Sequence, residues 1–72
     1  MPAEKMDSAT AATYDQGLAV AVRLKRALDA HGITLPSLAG TWPVHGMAMV
    51  ELGGCRAEVA EALAVILEEA GQ

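Results

Sequence analysis

Hydrophobic positions recur at helical spacing in two stretches of the chain and alternate at strand spacing between them. In residues 14–31, Val20, Leu24, Ala27, Leu28 and His31 fall at i, i+4, i+7, i+8 and i+11, with Ala21 beside them. That is the stripe of an amphipathic helix. Arg23, Lys25, Arg26 and Asp29 lie off it. In residues 56–70, Val59, Leu63, Ile66, Leu67 and Ala70 repeat the pattern, and Glu58, Glu61, Glu68 and Glu69 take the opposite side. Val65 stands among those glutamates, nearly opposite Leu63. In MAMVELG (47–53), Ala48, Val50 and Leu52 alternate with Met47, Met49 and Glu51, as in a half-buried strand. ITLPSL (33–38) alternates Ile33 and Leu35 around Thr34 and predicts a short first strand, confined to an edge by Pro36. AGTWPVHG (39–46) reads as the loop between the strands.

End signals sharpen these elements. Thr13-x-x-Gln16 fits a capping box, in which the two side chains satisfy each other's free amides. The first helix is therefore expected to begin there, with Gly17 weakening its first turn. Residues 1–12 read as a flexible tail, and 13–72 as one domain. Gly32 stands where a helix ends in a left-handed residue, and Ile33 can then pack back on Leu28. Cys55-x-x-Glu58 imitates a capping box with a poor cap residue, and Gly71 ends the second helix. Glu68 and Glu69 lie at the end of a helix where the dipole prefers cations. Either they are simply solvated, or Arg23, Lys25 or Arg26 lies across from them, in the same chain or in a partner. The fold class is α+β, in α-β-β-α order, with two amphipathic helices packed on a short antiparallel β-hairpin.

Composition changes this picture in one respect. A chain of 72 residues makes one small domain, marginal by itself. Hydrophobic residues make up 53% of it, but aromatics only 3%, with no Phe, so the core must come from aliphatic side chains. A lone cysteine forms no internal disulfide, and His31, His45 and Cys55 lack the paired spacing of a zinc site. Oligomerisation is the remaining way to complete so small a core. A two-stranded ribbon also leaves open edges and one bare face, here carrying Met47 and Met49. A two-fold dimer is therefore expected, with Trp42, Pro43, Val44, Met47 and Met49 at the interface. The alternative for Trp42 is that it plugs the core of the monomer. Arg23, Lys25, Arg26 and Val65 are candidates for a second contact.

Charge and chemistry narrow the function. A net charge of −4 argues against nucleic acid, because phosphate binding needs clustered cations. Arg23, Lys25 and Arg26 form the one basic cluster, which leaves a DNA-binding regulator as an alternative. No apolar run reaches the roughly 18 residues of a membrane span, and the N-terminus lacks the apolar core of a signal peptide. The lone thiol fits a reducing compartment, so a cytoplasmic protein is expected. Abundant Ala and Gly are in keeping with a GC-rich bacterial genome. His45 and Cys55 could in principle pair as base and nucleophile or hold a metal or small molecule, but no third, orienting residue suggests itself. His31, near a helix C-terminus, reads as a capping histidine. LGGCR resembles an anion-binding glycine turn but lacks both nucleotide fingerprints.

The expectation is a non-enzymatic, homodimeric interaction or regulatory module without a cofactor, whose partner is itself or another protein. The alternatives are a small-molecule or metal-binding protein using His45 and Cys55, and an accessory subunit of a larger enzyme.

Overall fold

The computed structural model describes residues 8–71. Helix α1 (Ser8–Asp29) is followed by strands β1 (Ala39–Val44) and β2 (Met47–Glu51) and by helix α2 (Ala57–Ala70). The two strands form an antiparallel hairpin. The α-β-β-α order read from the sequence is the order of the molecule.

Helix α1 starts earlier than the capping box suggests. Of the expected tail, residues 1–7 lie outside the described residues, whereas Ser8–Ala12 form the first turns of α1. Thr13 caps nothing there. Its hydroxyl donates to the Ala9 carbonyl at 2.8 Å, one turn back inside the helix. Alanines at 9, 11 and 12 favour helix. Thr10 and Thr13 also line a cleft with Pro43 and Gly46 at the hairpin tip. The far end of α1 follows the sequence reading. Gly32 has φ +72°, its N–H donates to the Asp29 carbonyl, and the Ile33 N–H donates to the Leu28 carbonyl at 3.0 Å. This is a full Schellman motif, and Leu28 and Ile33 are both buried.

The buried side of α1 is turned away from the predicted stripe. Gly17, Ala21 and Leu28 are buried, Tyr14 and Leu24 half-buried, and Val20, Ala27 and His31 exposed. The cause is close backbone contact. A Cβ on Gly17 would lie 2.6 Å from the Met49 carbonyl oxygen, and one on Gly40 would lie 2.8 Å from the Leu18 nitrogen. Helix and hairpin meet glycine to backbone, and a hydropathy pattern does not register glycine.

The first strand also lies further along the chain than predicted. Residues 33–38 are irregular, with a turn through Pro36 and Ser37 closed by the Leu38 N–H donating to the Leu35 carbonyl at 3.2 Å. Pro36 suits the second position of such a turn. Ile33 and Leu38 are buried, so this segment supplies core without being a strand. The strand is AGTWPV. Register pairs Thr41 with Met49 and Val44 with Met47, which leaves Trp42 and Pro43 opposite Ala48 alone. The resulting β-bulge frees Pro43 from supplying a ladder N–H. His45 and Gly46 then close a two-residue turn with φ +52° and +76°, the signature of a type I′ hairpin.

The core is small. Leu28, Ile33 and Leu38 form its buried cluster, with Leu24, Leu35, Val50, Val59, Leu63 and Ile66 packed against it. Burial of one such side chain contributes about 2 kcal/mol. No residue of α2 is itself buried. Val59, Leu63 and Ile66 touch the core as their periodicity predicts, but Leu67 remains 62% exposed and Ala70 exposed. The N-cap of α2 is Arg56, not Cys55, and no side chain caps the helix. Arg56 pairs instead with Glu58. No helix among the described residues is long and apolar enough to cross a membrane.

Candidate interaction surface

The hairpin presents two unlike faces. Strand alternation and the bulged register put Gly40, Ala48 and Val50 on the face toward α1 and the core. They put Thr41, Val44, Met47 and Met49 on the other face. There Val44 is 45% and Met47 57% exposed, with Thr41 and Met49 half-buried. Three of the five predicted interface residues, Val44, Met47 and Met49, are thus brought together on one surface.

Trp42 and Pro43 are placed differently, because the bulge turns them toward the N-terminal half of α1. Trp42 stacks on Tyr14, with ring centroids 4.7 Å apart and planes inclined by 21°. It still exposes 58% of its surface, so it does not plug the core. Pro43 lines the cleft with Ala9, Thr10, Thr13 and Gly46. Tyr14 is a surface residue the sequence reading missed. Its spacing from Gly17 and Ala21 places it on the buried side of α1, once that side is known.

The candidates for chemistry are not brought together. His45 is at the hairpin tip, beyond Val44, whereas Cys55 follows the base of β2, where Gly53 lies against Ser37. The two stand at opposite ends of the hairpin. Cys55 is free and exposed, and His31 is exposed at the end of α1. Among the described residues no group of three or more His, Cys, Asp or Glu side chains is placed to hold a metal ion. The glycines of LGGCR turn the chain: Gly53 has φ +73° and packs on Ser37, while Arg56 is engaged by Glu58. A cleft of about 230 Å³ opens onto Leu28, Ile33 and Leu38 between Lys25 and Asp29. It is smaller than the roughly 300–1,000 Å³ of ordinary ligand sites.

The basic cluster is divided by the helix it lies on. Lys25 lines the cleft beside Leu28, whereas Arg23 lines a separate groove with Val20, Leu24 and Ala27. Arg23, Lys25 and Arg26 therefore do not make one cationic face. Val65 is 46% exposed on the outer side of α2, as its position among the glutamates predicts.

These features define a small α+β domain in which one helix covers a bulged hairpin and a second helix is loosely attached. Neither a family model, nor a curated protein, nor a solved structure matches the chain.

Proposed function

We propose that this chain is a non-enzymatic interaction module that works as a homodimer, with the second copy seated on the open face of the hairpin. The observation that supports this best is the Val44–Met47–Met49 surface, with Val44 and Met47 exposed and Met49 half-buried, on a protein with only four buried hydrophobic residues among those described. Methionine and aromatic side chains are enriched at interface cores, and Trp42 flanks the same hairpin with more than half its surface open. Two copies related by a two-fold axis would cover both bare faces at once. A cytoplasmic setting agrees with the free, exposed thiol of Cys55.

Native mass spectrometry and sedimentation equilibrium test the reading. Wild-type protein is expected to be dimeric at micromolar concentration. Met47→Glu and Met49→Glu are expected to weaken association at least tenfold and to lower thermal stability. Retention of the wild-type mass by both folded variants would remove the hairpin face from the interface. A wild-type monomer at every concentration would instead favour an accessory subunit that needs a different protein on that face.

A further inference from the structure

A second surface is built of complementary halves on the two helices. On α1, Val20, Leu24 and Ala27 recur at i, i+4 and i+7, and with Arg23 they line an open groove of about 310 Å³. Val20 is 48% exposed there. Arg26 follows Arg23 by three residues, so the two arginines occupy neighbouring turns on one side of α1, and Arg23 itself lines the groove. On α2, exposed Val65 has Glu61 four residues before it and Glu68 and Glu69 three and four after it. Those spacings place all three carboxylates around Val65 on one side of the helix. Among the described residues, neither arginine meets a carboxylate and none of these three glutamates meets a cation.

The two halves are complementary in charge and each carries exposed apolar side chains, yet the described chain does not join them. Its α2 already turns Val59, Leu63 and Ile66 to the core. At 100° per residue Val65 points nearly the opposite way from Leu63. The acidic side of α2 therefore faces away from its own α1. We propose that α2 of a second copy of this chain seats on the α1 groove. Val65 enters between Val20, Leu24 and Ala27, and Glu61, Glu68 and Glu69 meet Arg23 and Arg26. A two-fold axis makes the contact twice, each α1 receiving the other copy's α2, and the assembly closes as a dimer. Charge selects this pairing. Each copy carries −4, so acidic helix against acidic helix repels, and the arginine side of α1 is where an acidic helix is attracted. The proposal rests on the reading that the chain self-associates; its surface is distinct from the hairpin face, and the two contacts belong to one dimer because both are made about the same two-fold axis.

Charge reversal with complementation tests it by sedimentation equilibrium. One variant carries Arg23→Glu and Arg26→Glu; the other carries Glu61→Arg and Glu68→Arg. All four positions are exposed, so both variants should keep the wild-type circular dichroism. Each alone is expected to associate at least tenfold more weakly than wild type, and an equimolar mixture is expected to recover a mixed dimer. Asp15→Arg with Asp29→Arg has the same net charge as the second variant and serves as the control partner. Folded variants that keep wild-type association overturn the helix contact and leave the hairpin reading standing. So does a mixture that recovers no better than the control. Rescue by the mixture, with Met47→Glu and Met49→Glu without effect, supports the helix contact and overturns the hairpin assignment. A wild-type monomer at all concentrations overturns both and leaves the groove to another partner.

Discussion

At the residue scale, two glycines and one histidine decide more than the large side chains do. Gly17 and Gly40 are where α1 and the hairpin touch, and a methyl group at either would lie under 3 Å from backbone atoms. Ala at position 17 should raise helix propensity by about 1 kcal/mol. We nevertheless expect Gly17→Ala and Gly40→Ala to destabilise the protein by more than that, because backbone cannot move aside as a side chain can. Gly54 meets nothing within 4 Å, and Gly54→Ala should be nearly neutral. Urea denaturation of the three variants checks this order. His45 holds φ +52° in a turn that favours Asn followed by Gly. His45→Asn should therefore stabilise the hairpin by about 0.5 kcal/mol, since left-handed backbone is easier for Asn. An unchanged or lower melting temperature would argue against that conformation in solution. None of these roles shows in a hydropathy pattern, which counts glycine as a neutral gap.

At the element scale, what is local was legible and what is mutual was not. The Schellman end of α1 depends on Gly32 and Ile33 within one turn, and both were readable. The β2 alternation was readable because one face packs inward and the other does not. The first strand was misplaced because Gly40 and Pro43 are poor strand residues by propensity. Gly40 is there for the approach of Leu18, and Pro43 is accommodated by the bulge. Neither reason exists without the partner element. The capping box at Thr13 does not form either: the Thr13 hydroxyl bonds back to the Ala9 carbonyl, and Tyr14 beside it stacks on Trp42 of the hairpin. Helix α2 shows a local deficiency that can be corrected. Its N-cap, Arg56, makes no capping bond, and the exposed Arg56–Glu58 pair contributes little in water. Arg56→Ser should stabilise α2 by about 1 kcal/mol. Slower amide exchange at its first turn would show it, and unchanged exchange would sink the prediction.

At the scale of the whole molecule, the buried cluster lies where the end of α1, the 33–38 segment and α2 meet. Leu38, 2% exposed, is its most buried member. Leu38→Ala should cost about 3 kcal/mol, enough to abolish the cooperative thermal transition of so small a domain. A transition that survives with little change would mean that the core is larger than this cluster. Helix α2 should be the first element to exchange its amides, because it buries no residue. Among the described residues, the exposed hairpin face and the exposed flank of α1 have one origin: α1, the hairpin and α2 carry more apolar surface than they bury against one another.

Periodicity, turn residues and length were enough, from the sequence alone, to settle the order of elements, the Schellman end of α1, the inward and outward faces of β2, and the turn of Val59, Leu63 and Ile66 toward the core, though not the exposure of Leu67 and Ala70 on the same stripe. These depend on neighbours within a turn or two along the chain. Tertiary structure alone decided the helix face that is buried, the place of the first strand, the separation of His45 from Cys55, and the exposure of Trp42. Each depends on how closely two backbones approach, and that distance is set by contact between segments far apart in the chain.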